Sequence, residues 1–242
     1  MATKCTNCPL RRRELFTEMS KEDVGFMERF KVGEMVIDPG TPILMEGSNS
    51  PQLYTALHGM GLRQKTLSTG ERQVLNFVFP GDFVGLQAGV LGEMSHSVEA
   101  TTRMTLCVFD RSEFWNFFKH NPERAFDVTW LAAVEERLLG EALTTVGQRT
   151  ALEATAWAIV RIYQRAEALG MVQNQSLRFP FKQRDLADAL GLSLVHMNKT
   201  LKRLRDRQLA NWSDGMLHVA DLKELAETAN FEVEAPAKRP LF

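Results

Sequence analysis

A two-helix pattern between residues 183 and 207 is the feature that most constrains how this chain can fold. One face of the first helix is apolar: Leu186, Ala187 and Leu190. Gly191 follows at the chain reversal, where a side chain would be strained, and Ser193 is a residue type that caps helices. Apolar residues of the second helix recur at spacings of four and three: Met197, Leu201 and Leu204. The pattern predicts a helix-turn-helix.

The second helix of this pair is basic opposite its apolar stripe. Residues 194–207 hold five Lys or Arg and one Asp, a local net charge of +4 in a chain whose formal net charge is -1. Such a helix fits the major groove of DNA, with its basic end beside phosphates. A β-hairpin is predicted directly after it, from Leu209–Trp212, an Asp214-Gly215 turn and Met216–Val219. The motif is therefore predicted to be winged; the alternative, a helical hairpin with a merely solvated charged face, is disfavoured by the glycine and cap positions.

The patterning changes twice upstream of this motif. From Val32 to Phe109, short apolar segments are separated by turn residues, which predicts a small β-roll. After Pro122 a long helix is predicted, whose apolar stripe is Leu131, Val134, Leu138, Ala142 and Val146; the periodicity fits an ordinary core face and a dimer coiled coil equally well. A second helix is expected from Leu152 to Leu169, ending at Gly170. The chain, 242 residues long, has room for two modest domains.

Targeting signals are not visible in the sequence. It contains no run of eighteen apolar residues and no charged segment followed by an apolar one at its start. We therefore expect a cytoplasmic protein with no membrane association. Three cysteines, in a reducing compartment, favour thiols or metal ligands over disulfides.

This order of elements resembles the Crp/Fnr family of bacterial transcription regulators over nearly the full chain. Pro80-Gly-Asp-Phe-Val-Gly85 looks like the family's roll motif, and Gly191-Leu-Ser193 looks like its turn. The resemblance implies an α+β fold with an N-terminal cyclic-nucleotide-binding-like β-roll, a long dimerisation helix and a C-terminal winged helix-turn-helix. The expected segments are an N-terminal extension with a Cys pair (1–30), the roll (31–120), the dimerisation helix (121–148), the DNA-binding domain (149–230) and a disordered tail (231–242).

The resemblance also implies a homodimer that binds double-stranded DNA at a palindromic operator and contacts RNA polymerase. The family usually places a Glu early in the second helix and an Arg four residues later, where this chain has Val195 and Lys199, with Asn198 beside the latter. These replacements predict an operator different from the family's best-known one. The predicted DNA-binding residues are Ser193, Val195, His196, Asn198, Lys199, Lys202 and Arg203.

The roll departs from the family members that bind cyclic AMP. Those members carry a Phe-Gly-Glu motif and an Arg that pairs with the cyclic phosphate, but residues 83–89 here read Phe-Val-Gly-Leu-Gln-Ala-Gly. Residues 93–100 supply no Arg, and Arg103 is out of register. Because a buried phosphate without its cation is strongly disfavoured, no cyclic nucleotide is expected to bind.

Cys5, Cys8 and Cys107 resemble the positions that hold an iron–sulfur cluster in the oxygen-sensing Fnr branch. That branch uses four cysteines; at the spacing of another one stands Glu14, a weak substitute. Three interpretations remain open: a cluster with one non-cysteine ligand, zinc binding or thiol redox chemistry at Cys5 and Cys8, and no cofactor at all.

The preferred functional hypothesis is a homodimeric DNA-binding regulator whose operator affinity follows oxygen or redox state through the cysteines. One alternative is a regulator without a cofactor that is controlled by its abundance. Another, from a different class, is a metal or ligand sensor that acts on a protein partner. An enzyme is not expected, because the five histidines are dispersed and no nucleophile elbow or phosphate-cradling loop is present.

Overall fold

The computed structural model describes residues 2–242, so that only Met1 of the predicted 1–30 extension lies outside the described residues. The chain divides into two compact units. The first consists of Met1–Glu136 together with Lys238–Phe242, and the second of Arg137–Ala237. The division falls inside one long helix, and the chain returns to the first unit after residue 237.

The first unit opens with two short 3-10 turns, Cys5–Asn7 and Pro9–Arg12, and then forms a β-roll with flanking helices. Its first elements are α1 (Lys21–Phe30), β1 (Lys31–Ile37), β2 (Pro42–Leu44), β3 (Gln52–His58), β4 (Gly61–Thr66), β5 (Arg72–Val78) and β6 (Phe83–Val84). There follow α2 (Leu86–Leu91), β7 (Ser97–Ala100), β8 (Met104–Asp110), α3 (Phe114–His120) and the start of α4 (Pro122–Gln148). The predicted roll is confirmed.

Two antiparallel sheets make the roll, with strand orders β1-β8-β3-β6 and β2-β7-β4-β5. Strands β3 and β8 alternate between two buried faces. One face lines the interior of the roll through Tyr54, Ala56, Leu106 and Val108. The opposite face packs with aromatic residues of the flanking helices, in the cluster Met27, Leu53, Phe83, Phe109, Phe114, Phe117, Val128, Leu131 and Phe242. Both faces of these strands are therefore part of a core.

The second unit is a helical domain with a small sheet. Its elements, after the second half of α4, are α5 (Ala151–Ala168), β9 (Val172–Gln173), β10 (Ser176–Arg178), α6 (Gln183–Leu190), α7 (Leu194–Asp206), β11 (Ala210–Ser213), β12 (Met216–Val219) and α8 (Leu222–Thr228). Helix α5 starts with a capping box between Thr150 and Glu153 and packs against α6, α7 and α8. The α+β class, the long helix and the winged helix-turn-helix are confirmed. None of the described helices has the length and apolar content needed to cross a lipid bilayer.

Two expectations from the sequence need correction. Residues 239–242 are not a disordered tail, because Arg239 forms a parallel β-bridge with Phe16 and the next three residues are buried. In α4, most of the predicted stripe faces the chain itself: Leu131 is buried, and Val134, Leu138 and Ala142 are half-buried. Only Val146 of that stripe is exposed.

Candidate nucleic-acid interface and thiol cavity

Helix α7 is held by one apolar face. Met197, Thr200 and Leu204 are buried against α5 and α6, and Leu201 is half-buried. Thr200 enters this face without an unpaired hydroxyl, because its Oγ1 donates to the carbonyl oxygen of His196 at 2.9 Å. The apolar face fixes the rotation of α7 about its axis, and hence which side chains it presents outward.

The turn before α7 has the geometry that its sequence predicts. Gly191 adopts the left-handed conformation, with φ of 64°. The amide of Leu192 donates to the carbonyl of Ala187 at 3.0 Å, which closes the end of α6. Ser193 caps α7 through its Oγ, which accepts from the amide of His196 at 3.2 Å. Glycine and serine thus set the angle between the two helices.

The outward face of α7 carries all seven residues predicted to bind DNA, and each of them is exposed: Ser193, Val195, His196, Asn198, Lys199, Lys202 and Arg203. Val195 among them is apolar and 65% exposed. Within residues 2–242, none of the three cationic side chains of this set forms an ion pair. Their charge is therefore available to an anionic partner.

The wing contains more strands than the sequence predicted. The hairpin of β11 and β12 turns at Asp214 and Gly215, both at positive φ, and extends through β10 and β9 to a sheet of four strands. The sequence analysis missed β9 and β10, whose turn at Asn174 and Gln175 also has positive φ. A lone Asn at a turn position is a weak signal. The missed strand β10 presents exposed Arg178 at its end.

All three cysteines line one cavity in the first unit. It is narrow and partly open to solvent. The residues that line it are Cys5, Cys8, Leu10, Arg11, Met19, Met27, Lys31, Thr55, Leu57, Cys107, Phe109, Leu241 and Phe242. Cys107 projects from β8, where its cross-strand neighbours are Thr55 on β3 and Glu34 on β1. The structure therefore brings together the cysteines that the sequence analysis singled out.

A buried ion pair anchors the segment that carries Cys5 and Cys8. Lys31 Nζ lies 2.7 Å from Glu34 Oε1 and donates to the carbonyl of Thr3 at the same distance. The amide of Thr3 returns a hydrogen bond to Glu34 at 2.9 Å. Arg11 donates to the carbonyl of Cys5 at 3.2 Å. These contacts place the Cys5–Asn7 turn over the β1 and β8 strands.

Burial favours the protonated thiols of Cys5 and Cys107. It raises the pKa of Cys107 to about 11, against the opposing effect of the nearby Lys31 ammonium. Burial also raises the pKa of Cys5, again partly opposed by Lys31. A protonated thiol is a poor nucleophile and a poor metal ligand.

The cavity does not fit a metal ion or an iron–sulfur cluster in this arrangement. Within residues 2–242, no three His, Cys, Asp or Glu side chains converge closely enough to hold a metal ion. Glu14, expected as a substitute for a fourth cysteine, is exposed and does not line the cavity. Glu14 is therefore not placed to act as a ligand, and the cysteines share a cavity without forming a coordination site.

A second cluster of polar side chains lies in the first unit, beside the β2-β7-β4-β5 sheet. Arg63 on β4 donates to Glu135 Oε1 on α4 at 2.8 Å and to the carbonyl of Phe83 at 2.9 Å. His96 is buried nearby; its burial, followed by the charge of Arg63, lowers its pKa to about 4. This imidazole is therefore neutral at physiological pH.

The fold and the interface match known families over two long stretches. Residues 34–121 match the cyclic nucleotide-binding domain, and residues 155–228 match the Crp-like helix-turn-helix domain, in the order that the sequence analysis expected. The chain belongs to the Crp/Fnr family. It is a DNA-binding transcription regulator and not an enzyme. The first match assigns the fold of the roll, and the prediction that no cyclic nucleotide binds stays a prediction.

Among its curated relatives in the Crp/Fnr family is the transcriptional activatory protein AadR of Rhodopseudomonas palustris. The two are 27% identical over 205 residues, which cover 84% of each chain. The transcriptional activator protein FnrL of Cereibacter sphaeroides is 24% identical over 230 residues, covering 93% of this chain and 92% of the relative. The structure of FixK2 from Bradyrhizobium japonicum superposes with a TM-score of 0.74 at 22% identity, over 84% of this chain and 98% of that one.

We predict that His96 makes this Crp/Fnr regulator less stable in weak acid. Its folded pKa of about 4 lies below the ordinary value of 6.5, so the unfolded chain binds the proton first. The free energy of unfolding keeps its full value above about pH 6.5, and it falls by up to about 3 kcal/mol as the pH drops to about 4. Urea denaturation across this range should show a smaller pH dependence for His96→Gln than for wild type. The exposed control His58→Gln should keep the wild-type dependence; equal pH dependence in all three proteins would contradict the assignment.

Proposed function

We propose that this regulator is a homodimeric, sequence-specific activator of transcription that acts in the cytoplasm. It binds a palindromic operator, contacts RNA polymerase, and adjusts its operator affinity through the thiols of Cys5, Cys8 and Cys107. The observation that carries the DNA-binding part is the outward face of α7, whose exposed cations have no protein partner among the described residues. Activation is supported by the names of the relatives AadR and FnrL, which are both described as activators.

The order of side chains along α7 divides them by role. Val195, Asn198 and Lys199 lie in the first two turns, which are the part of a recognition helix that reaches base edges. Lys202 and Arg203 lie one turn further on, where the helix passes the phosphate backbone. The early residues therefore supply sequence discrimination, and the later ones supply affinity that is independent of sequence.

We predict different effects for substitutions of two lysines on α7. Lys199→Ala should reduce the difference in binding free energy between operator and random DNA by about 1 kcal/mol, because a base-edge contact is lost. Lys202→Ala should weaken binding to both DNAs alike and reduce the slope of log affinity against log salt by about one. Fluorescence anisotropy with labelled operator and scrambled duplexes at several salt concentrations measures both quantities.

The matched control for these variants is Lys223→Ala, which removes the same charge from an exposed position on α8. Helix α8 packs on α5, and the control should leave both affinities near wild type. If Lys199→Ala and Lys202→Ala change the two affinities in the same proportion, the division of roles along α7 is wrong. If none of the variants binds DNA less tightly than the control, α7 is not the recognition helix.

A second surface supports the homodimer. Helix α4 exposes Ala132, Leu139, Leu143 and Val146 along one side. The first, second and fourth of these recur every seven residues, and Leu143, which is 75% exposed, follows Leu139 by four. This spacing is that of a coiled-coil seam. It is rotated from the stripe that the sequence analysis selected, most of which is covered by the chain itself.

We predict that Leu143→Glu converts the dimer to a monomer. A carboxylate in an apolar seam costs several kcal/mol without a partner, and a monomer loses the second half-site contact on a palindrome. Light scattering after gel filtration measures the mass, and anisotropy measures operator affinity. Thr144→Glu, at an exposed position 100° further around α4, is the control and should remain dimeric. A dimeric Leu143→Glu protein would mean that the subunits associate elsewhere.

The input to the regulator is proposed to be the thiol cavity. Its three cysteines are gathered from the Cys5–Asn7 turn, the following residue and β8, so that a chemical change at any of them alters the packing of the other segments. Because the described side chains do not form a coordination site, the proposed chemistry is that of the thiols themselves. Oxidation makes a thiol larger and more polar, which an apolar wall tolerates poorly.

We predict that oxidation with hydrogen peroxide, which converts a thiol to a sulfenic acid and leaves water, changes the operator affinity of anaerobically purified protein at least about threefold. Cys107→Ser should abolish the change, because Cys107 is the cavity cysteine that lies on a strand paired on both sides. Anisotropy under reducing and oxidising conditions measures the affinity, and iron and sulfide analysis of the anaerobic protein tests for a cluster. Equal affinities in both states would leave a regulator controlled by abundance. A protein that is not retained on DNA, and whose binding to its partner depends only weakly on salt, would favour a sensor that acts on a protein partner.

A further inference from the structure

The segment 239–242, here called the strap, is bound to the first unit by its backbone. The amide of Arg239 donates to the carbonyl of Leu15 at 2.8 Å, and its own carbonyl accepts from the amide of Thr17 at 2.9 Å. The strap therefore joins the 15–17 segment as a one-residue parallel β-bridge centred on Phe16. Such pairing fixes where the following three residues run.

A charge pair fastens the strap to the turn between β5 and β6. Arg239 Nη1 lies 2.9 Å from Asp82 Oδ1, and both side chains are about 15% exposed. The turn also packs on the segment that the strap pairs with: a Cβ added to Gly81 would lie 2.2 Å from the ring of Phe16. The absence of a side chain at residue 81 thus allows the turn, the 15–17 segment and the strap to meet.

Beyond Arg239, the strap buries three apolar residues, of which Pro240 is the first. Leu241 and Phe242 are also buried. The centroid of the Phe242 ring lies 4.2 Å from that of the Phe83 ring and 4.9 Å from that of the Phe117 ring. The carbonyl of Phe242 accepts a hydrogen bond of 2.7 Å from Thr55 Oγ1. Since Thr55 is the cross-strand neighbour of Cys107, this bond places the strap directly beside the thiol.

We propose that the strap is an intramolecular ligand that covers one side of the thiol cavity, and that its reversible release widens the access of reagents to Cys107. Leu241 and Phe242 both line the cavity together with Cys5, Cys8 and Cys107. The groove that holds the strap recognises a cation followed by an apolar and an aromatic side chain. The inference rests on the proposed function only for the claim that the thiols adjust operator affinity. The covering of the cavity by the strap depends on contacts within the first unit alone.

The way in which the strap is held favours local release over unfolding of the roll. The strap contributes no residue to the sheet orders of the roll, and only Arg239 makes a backbone bridge. The strands behind it, β3 and β8, pair along most of their lengths. Segments with few backbone hydrogen bonds open at a lower free energy than core strands do. The strap can therefore leave while Cys107 stays on an intact strand.

The experiment measures alkylation of the cysteines in the full chain by iodoacetamide, with the modified peptides quantified by mass spectrometry. The double substitution Leu241→Asp with Phe242→Asp should release the strap and raise the alkylation rate of Cys107 at least about tenfold, because the exposed thiol has a lower pKa. Arg239→Ala, which retains the apolar contacts, should raise the rate by a smaller factor. Lys238→Ala, at an exposed neighbouring position, should have no effect.

Hydrogen exchange decides what a change in rate means. Release of the strap should speed exchange at the amide of Thr17, which donates to Arg239, while β3 and β8 remain protected. Faster alkylation with this pattern supports the proposal. The proposal is overturned if the Thr17 amide stays protected in the double variant, if the strap leaves without faster alkylation, or if alkylation rises only when β3 and β8 lose protection. None of these outcomes depends on DNA binding, so failure of the strap and failure of the proposed regulator are distinguishable.

Discussion

The burial of both faces of β3 and β8 is the constraint on which the first unit depends. On the inner face, Ala56 and Leu106 are fully buried in the roll. On the outer face, Thr55 and Cys107 lie side by side beneath the N-terminal turn and the strap. A strand buried on both sides cannot shift its register, since a shift of one residue exchanges the two faces. The position of Cys107 is therefore as rigid as the core of the roll, and mobility is left to the segments that cover it.

In the second unit, helix α7 is held in a fixed orientation although its outward cationic side chains form no ion pairs with the described residues. Met197 and Leu204 are fully buried, so apolar packing supplies the free energy that orients α7. At the start of the helix, the Ser193 hydroxyl accepts a hydrogen bond from the backbone amide of His196. This polar contact stabilises the helix without involving its cationic side chains. Ion pairs to Lys199 or Lys202 would add little stability at an exposed surface, and they would compete with phosphates. An outward face without carboxylate partners is consistent with selection for binding.

Local patterns in the sequence were sufficient where a residue acts on its own neighbours. Gly191 predicted the turn because its left-handed φ is a property of a single residue. The sequence could not predict that Phe242 is buried, because its partners lie more than a hundred residues away and a Pro-containing tail predicts disorder. The sequence leaves the role of the α4 stripe open for a related reason: spacing shows that one face is apolar, but not what covers it, and Leu131 is buried by the chain while Leu143 is exposed. Glu14 had the spacing of a ligand, yet its side chain points into solvent.

The side chains at the proposed base-reading positions of α7 limit how this regulator can recognise its operator. In that role, Val195 has no hydrogen-bonding side chain and could read DNA only through apolar contact, as with a thymine methyl group. Lys199 presents a point charge instead of the planar fork with which Arg binds guanine, so its discrimination between bases is weaker. Of the three exposed positions, Asn198 alone combines a donor and an acceptor, the pair of groups that adenine matches. Sequence preference should therefore be concentrated at the base pair that Asn198 contacts, with the remainder supplied by DNA shape and by the spacing of two half-sites.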